Sequence, residues 1–365
     1  MVKSIVVVDH EDEVVTPSWM VPTGWFVVGW SHEVPPGELK PLHVFGQELV
    51  LYRSESGALH CVEATCRHLG AHLGYGGRVV GDCVVCPFHG WTWGSDGTNV
   101  AVPEGKTSKR TIGVRPVRER NGIVYLWHDL AGKPPMWEMP DLFEDLRDEY
   151  PTNDYWAVDV AGGCFAYDDM TINPRLAVEN IVDPLHFRYV HGTRDVPTLA
   201  DHEVTDAFFM TKLRVASRGR RDDGARKREE FVTLKQWGLG ISHTRFSGRD
   251  NTHLVISVTP VDGHTVTLRQ TIFLEKIAGE SESERNRRMA AVSSVLPEDI
   301  AIWTHQRFIV PSSLQAQEAE IFRDLRKWAR TFEPKAGKYR SEAGFHAAAE
   351  EPDSTRRNAQ RATQS

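Results

Sequence analysis

The stretch CRHLGAHLGYGGRVVGDCVVCPFHGWTW, residues 66–93, holds three cysteines and three histidines within 28 positions. It is rich in glycine and ends in tryptophans, so it reads neither as a helix nor as an ordinary strand. With Cys61 just upstream, the ligand-capable side chains are Cys61, Cys66, His68, His72, Cys83, Cys86 and His89. One spacing stands out: Cys66-x-His68, then 17 residues, then Cys86-x-x-His89. Each short loop therefore offers one thiol and one imidazole.

A zinc knuckle is the bland reading, but zinc fingers usually pair cysteine with cysteine and histidine with histidine. The mixed pattern suits a two-iron cluster in which one iron takes both thiolates and the other both imidazoles, the Rieske arrangement. Cys66, His68, Cys86 and His89 are the expected ligands of a [2Fe–2S] cluster. Gly70, Gly90 and Pro87 supply tight turns. Cys61 and Cys83 are expected as buried thiols and His72 as a loop residue. Trp91 and Trp93 stand where respiratory Rieske proteins place serine and tyrosine donors. Fewer hydrogen bonds to sulfur then predict a low potential, about −150 mV.

The rest of the chain bounds the chemistry. A length of 365 residues fits two domains. A net charge of −7 argues against nonspecific binding to nucleic acid or anionic lipid. No apolar run approaches the length of a membrane span, the start lacks a signal-peptide pattern, and five cysteines make no disulfide scaffold. A cytoplasmic protein is expected.

Short β-like runs fill 22–128, including GWFVVGW (24–30) and QELVLYR (47–53), with more at 78–93, 111–118 and 122–128. A Gly-Lys-Pro-Pro linker follows, which places a boundary near 134–150. Downstream, 155–168 reads as a strand and 174–191 as helical. Alternation marks strands at 231–237, 253–259 and 265–274, and helices are expected at 281–309 and 313–332. The expected division is an N-terminal segment 1–21, a first domain 22–134, a second domain 135–345 and a disordered tail 346–365.

A second candidate metal site lies in VENIVDPLHFRYVHG, residues 178–192. His186 and His191 are five apart, about 140° of rotation on a straight helix. Both reach one metal only if the helix ends or bulges between them. Asp183-Pro184 is a good cap and first-turn pair, so a new turn is expected just before His186. Two histidines and one carboxylate form the facial triad of non-haem Fe(II) oxygenases. Asp262, Glu298 and Asp299 are candidates for the acid. Asp299 is favoured, at the first turn of a helix expected to start at Pro297, although an acid there also complements a helix N-terminus. Glu179, Asn180 and Asp183 are polar in an otherwise apolar stretch. They read either as a capped helix surface or, for Asp183, as an acceptor for a ligand histidine.

The two patterns together, ending in Glu179-Asn180-x-x-Asp183-x-x-His186-x4-His191, resemble the oxygenase component of Rieske non-haem iron oxygenases. The likeness spans about 20–335. It is most similar to the 3-ketosteroid 9α-hydroxylase oxygenase group, through ENIVDPLHFRYVHG, GDCVVCPFHGWTWGSDG and EDIAIW. The resemblance implies an α+β chain: a small all-β Rieske domain, then a helix-grip catalytic domain with a curved antiparallel sheet around a long helix. It implies a [2Fe–2S] cluster, a mononuclear Fe(II) held by His186, His191 and Asp299, and a homotrimer in which one subunit's cluster faces its neighbour's iron. Asp183 would bridge the neighbour's His89 to His186, with Asn180 beside it as a further catalytic residue. No strong nucleotide-binding glycine motif or plant-type cluster spacing is present, so a separate flavin reductase is implied, with or without a ferredoxin. The expected reaction is monooxygenation by O2 of a steroid-like or other polycyclic hydrophobic substrate. Phe165, Tyr167, Met170, Phe208, Phe209, Trp237 and Phe246 are core or pocket lining. The alternatives are a ring dioxygenase or O-demethylase with the same metals, a pure Rieske electron-transfer protein, and a zinc-stapled binding module.

Overall fold

The computed structural model describes residues 22–145, 154–215, 230–247, 251–309 and 312–333. The segments expected at 1–21 and 346–365 lie outside them.

Residues 24–128 form β1 (Gly24–Trp30), β2 (Leu39–Val44), β3 (Gln47–Arg53), β4 (Leu59–Glu63), β5 (Arg78–Val80), β6 (Cys83–Val85), β7 (Thr92–Trp93), β8 (Asn99–Ala101), β9 (Val114–Arg115), β10 (Val117–Arg120) and β11 (Ile123–His128). They make three antiparallel sheets, ordered β1-β11-β10, β2-β3-β4-β9 and β5-β6-β7-β8. Strands this short, broken by glycine turns, are what the sequence pattern demands. Pro116 separates β9 from β10 because it lacks the N–H a continuous ladder needs.

The second half carries α1 (Leu142–Asp145), β12 (Cys164–Met170), α2 (Pro174–Glu179), α3 (His186–Tyr189), β13 (Thr198–Val204), β14 (Phe208–Val215), β15 (Glu230–Trp237), β16 (Ile241–Ser247), β17 (Thr252–Pro260), β18 (Val266–Phe273), α4 (Glu282–Ser293), α5 (Val295–Trp303) and α6 (Ala319–Ala329). Seven strands form one antiparallel sheet in the order β12-β18-β17-β16-β15-β14-β13. The chain is thus α+β, as expected. Its interior strand β17 is buried on both faces, because the sheet is covered on both sides. Even-numbered residues of β15 to β18, such as Leu234, Leu254 and Leu268, face the helices. Odd-numbered ones, such as Trp237, Ile241 and Val255, face the first half of the chain.

That second contact is a true core. Trp25, Trp30, Trp127 and Trp237 all lie within it, each at most 6% exposed. A buried tryptophan withdraws about 200 Å2, roughly 5 kcal/mol at 25 cal/mol per Å2, so the seam is no loose hinge. Trp30 Nε1 donates to Thr271 Oγ1 at 2.9 Å, and Val27 N donates to Ser257 Oγ at 3.1 Å. Gly240 permits the approach: a Cβ there would stand 2.3 Å from the Trp25 carbonyl oxygen. The linker expected near 134–150 is therefore no free tether over its described part. Trp137 packs edge-on against Trp127 and Phe332.

Several expected elements are corrected. The strand expected from 155 begins only at Cys164, because residues 158–162 turn before Gly163. The helical stretch 174–191 is three pieces: α2, a 3-10 turn at Asn180–Val182, and α3. Residues 281–309 form two helices meeting at Ser294, and the second ends at Trp303. The helix expected from 313 starts at Ala319. Among the described residues the longest helix is α4, with 12, shorter than the long helix expected. Strands β13, β14 and β16, which the alternation does not single out, complete the sheet.

Candidate metal centres

The first centre lies at the tips of two matching loops, β4–β5 and β6–β7. Cys66 N donates to Ala71 O at 2.9 Å and Gly70 N to Cys66 O at 3.0 Å. In the second loop Cys86 N donates to Trp91 O at 2.8 Å and Gly90 N to Cys86 O at 3.1 Å. Gly70 and Gly90 have φ of +79° and +69°, a conformation that side chains with a Cβ rarely adopt. The two loops are thus one turn used twice.

This repetition brings the four expected ligands together. Both cysteines are buried, and their thiols lie close enough to share a hydrogen bond. Burial raises the Cys66 pKa. The rings of His68 and His89 are 4.7 Å apart, with His89 at the exposed tip. His68 Nδ1 is buried without a hydrogen-bond partner. Two facing thiols, two facing imidazoles and an orphaned ring nitrogen fit a cluster that takes two S and two N ligands.

The expectation for the tryptophans is half right. Trp91 stacks flat on His68, 4.5 Å between centroids and 5° between planes, with no bond to sulfur. Trp93 Nε1, however, donates to Cys66 Sγ at 3.4 Å. Cys61 is fully buried, and burial pushes its pKa up to about 12. Cys83, expected buried, is half-exposed. His72 lies in the loop, where Gly74 N donates to its Nδ1 at 3.0 Å.

The second centre is on the helix side of the large sheet. Asn173 Oδ1 caps α2 by accepting from Arg175 N, with Pro174 at the first helical position. The 3-10 turn then breaks the helix, held down by Thr211 Oγ1 donating to Ile181 O at 2.6 Å. The break restarts the chain at α3 and lets His186 and His191 converge, their rings 5.2 Å apart. Asp299 joins them from α5. Among the described residues, His186, His191 and Asp299 are a group whose ligand atoms all lie within 4.8 Å of one another. Asp299 is in the second turn of α5, which starts at Val295 rather than at Pro297. It shares the buried face of that helix with Leu296 and Trp303.

The outer nitrogen of each ring is occupied. His191 Nδ1 meets Glu298 Oε2 at 2.8 Å while its Nε2 lies 3.3 Å from Asp299 Oδ1. His186 Nδ1 meets the main-chain carbonyl of Asp183. Acceptors at both Nδ1 atoms would keep the protons there and free both Nε2 atoms to bind a metal. Burial lowers the His186 pKa against the opposing pull of Asp299 and Asp183. At His191 burial also opposes the charge, but Asp299 and Glu298 outweigh it and the pKa is raised.

The remaining candidates sort themselves. Asp262 is a turn residue, its Oδ1 accepting from His264 N and Thr265 N at 2.8 Å. Glu298 stands behind His191. The Asp183 carboxylate accepts from Leu185 N and His186 N, tying down the entry to α3, and only its carbonyl meets the His186 ring. Asn180 ends α2, its carbonyl accepting from Asp183 N at 3.3 Å. Glu179 holds a bidentate pair with Arg326 of α6, at 2.9 Å for the longer bond. Phe209 and Trp237 are core, and Phe165, Tyr167, Met170, Phe208 and Phe246 are partly buried against it.

Both halves of the chain match known protein families. Residues 24–115 match the Rieske [2Fe-2S] domain, and residues 126–332 match the 3-ketosteroid 9alpha-hydroxylase C-terminal domain. The chain belongs to the 3-ketosteroid 9alpha-hydroxylase family of Rieske oxygenases. A cholesterol 7-desaturase of Bombyx mori is 40% identical over 122 residues, which is 33% of this chain and 27% of that relative. The chain thus spans about a quarter of that relative's length. The oxygenase component of 3-ketosteroid-9-alpha-monooxygenase from Mycobacterium tuberculosis is 27% identical over 325 residues, covering 85% of this chain and 81% of that protein. Among solved structures, dicamba monooxygenase bound to dicamba superposes with a TM-score of 0.58 at 16% identity, covering 87% of this chain and 99% of that one, which shows a shared fold. Rieske oxygenases of this family carry both a [2Fe–2S] cluster and a mononuclear iron. No helix among the described residues is long and apolar enough to cross a membrane.

Proposed function

We propose that this chain is the terminal oxygenase component of a multicomponent monooxygenase that hydroxylates a steroid-like or other polycyclic hydrophobic substrate. The convergence of His186, His191 and Asp299 carries the reading, because a pure electron carrier has no use for a second site with two histidines and a buried acid. When bound, the cluster and the ferrous ion supply one-electron transfer and dioxygen activation. Cys66, Cys86, His68 and His89 would hold the first; His186, His191 and Asp299 would hold the second, leaving positions open for O2.

The chain's own residues do the rest. Glu298 and the Asp183 carbonyl hold the protons on the outer ring nitrogens. The 3-10 turn at Asn180–Val182 sets the angle between the two histidines. The substrate's place is the helix side of the sheet. There Ile256, alone in β17, is partly exposed at the centre of an otherwise buried strand, and Ser242, Phe165 and Phe246 on neighbouring strands are partly exposed too. This wall is mainly apolar, which favours a hydrophobic substrate.

Electrons come from a separate flavin reductase, directly or through a ferredoxin. We further infer a head-to-tail homotrimer. Large apolar side chains are exposed around both centres: Leu69, Tyr75 and Phe88 at the first, Leu185, Tyr189 and Ile302 at the second. Clusters of this kind mark contact surfaces.

The test is turnover. Reduced protein with a surrogate reductase should consume O2 coupled to product from at least one member of a panel of steroids and polycyclic aromatics. Labelled oxygen should place one atom in a single alcohol. Two atoms in a cis-diol, released formaldehyde or an unlabelled alkene would each replace monooxygenation by another reaction. A chain retaining only the two irons of the cluster after full reconstitution would leave an electron carrier.

A further inference from the structure

We propose that Glu298 is a positioning residue for the second centre, fixing the tautomer and the ring plane of His191 from outside the ligand set; the proposal rests on reading His186, His191 and Asp299 as an iron site. The His191 ring is held on two edges by two consecutive acids of α5. Glu298 Oε2 lies 2.8 Å from Nδ1, and Asp299 Oδ1 lies 3.3 Å from Nε2. Consecutive residues on a helix point about 100° apart. They cannot reach one atom of the ring together, but they can reach its two nitrogens. The sequence Glu298-Asp299 thus divides the work: the buried acid faces the metal side and the half-exposed acid faces the outer side.

The physics gives Glu298 a definite task. Imidazole binds a metal through a lone pair, so its single proton must sit on the other nitrogen. At His186 a neutral main-chain carbonyl accepts that proton's hydrogen bond. At His191 a side-chain carboxylate does, and a carboxylate is a stronger acceptor than a neutral carbonyl, pushing electron density toward Nε2. The two ligand imidazoles are therefore unequal, and His191 is the stronger donor. Nothing in the spacing of the histidines announces this. It follows from Glu298 standing one residue before the ligand acid on a helix whose buried face carries Asp299.

The experiment uses the full chain, loaded with iron under anaerobic conditions, with [2Fe–2S] content as the internal control for folding. The Glu298 side chain is 49% exposed, so truncation should leave the fold intact. Glu298→Ala should lower Fe(II) affinity by about 10–100-fold, measured by competition with a chelator. It should also change the rhombicity of the paramagnetic signal of the nitric oxide-treated ferrous site. Glu298→Gln keeps an oxygen acceptor and should restore most of both. A Glu298→Ala protein with wild-type iron affinity and an unchanged signal overturns the proposal. A wild-type chain that takes up no iron beyond the cluster overturns the underlying reading with it, and a His191→Ala control separates the two results.

Discussion

At the scale of single residues, the hydrogen bond from Trp93 to Cys66 Sγ sets a redox expectation. A donor to a ligand sulfur favours the reduced, more negative cluster and so raises its potential. Trp93→Phe removes one hydrogen bond, about 1 kcal/mol, which for one electron is about 40 mV. The midpoint should fall by that order in a dithionite titration, and an unchanged midpoint would show that the indole only fills space. A second expectation concerns acid. His253 is buried, its Nδ1 2.8 Å from His243 Nε2 and its Nε2 3.1 Å from Tyr155 Oη. Burial lowers its pKa to about 3. The unfolded chain takes up the proton near pH 6.5 while the folded one refuses it, so stability is full above 6.5 and lost as pH falls toward 3. Between pH 7 and 5 the loss from this residue is about 2 kcal/mol. Denaturant midpoints should fall accordingly, with a shallower slope in His253→Gln. The grouping of Cys66, His68, Cys86 and His89 was legible because spacing alone brings them to two turns. The Trp93 donor was not, because where an indole N–H points depends on the sheet behind it. Asp299 stood between: an acid on the Leu296–Trp303 face of an apolar helix is a visible anomaly, but only the fold shows what it faces.

At the scale of elements, the decisive feature is the broken helix between Pro174 and Tyr189. Periodicity marks the whole stretch as helical, and the two-histidine geometry requires a break within it. The sequence could name Asp183-Pro184 as the restart, and the Asp183 carboxylate does hold the entry to α3 through Leu185 N and His186 N. It could not show that Thr211, on a distant strand, holds the 3-10 turn. The edge strand β13 was illegible for the opposite reason: all seven of its residues are exposed, so no alternation of burial shaped its sequence. What fixes α2 beneath the site is the pair Glu179–Arg326, each side chain 15% exposed. Arg326 also donates to Ser312 Oγ at 2.7 Å. Arg326→Ala strands a largely buried carboxylate on α2 and should cost about 2–4 kcal/mol, read as a lower denaturation midpoint together with faster loss of the mononuclear iron. Arg326→Lys should recover little, since an ammonium cannot form the bidentate contact. Equal stability of all three proteins would show that α6 is held by Phe322, Leu325 and Trp328 alone.

At the scale of the whole molecule, the two halves share a core of tryptophans across the sheet, so the relation between the two metal centres of one chain is fixed by packing. A rigid chain cannot bring its own centres together by bending. Any closer pairing of the cluster with a ferrous ion has to come from a second copy, which is the physical argument for head-to-tail association in the proposed trimer. The surfaces available for it are visible: His89 sits at an exposed loop tip beside Phe88, 61% exposed, and the triad lies beneath α3, where Tyr189 is 76% exposed. A charge at either position enters no core and should leave folding, cluster and mononuclear iron intact. It should instead break the contact between copies. Phe88→Glu and Tyr189→Glu should each convert a trimer to monomers in light scattering after gel filtration, while iron per chain stays constant. Electron transfer from the cluster to the ferrous site, followed as cluster reoxidation in a single turnover, should slow in step with dissociation. Mixing the two variants gives the sharper result: in a mixed ring one contact can pair an unmodified cluster surface with an unmodified triad surface, so partial activity should return. Monomers that reoxidise the cluster as fast as the wild type would show that transfer runs within one chain.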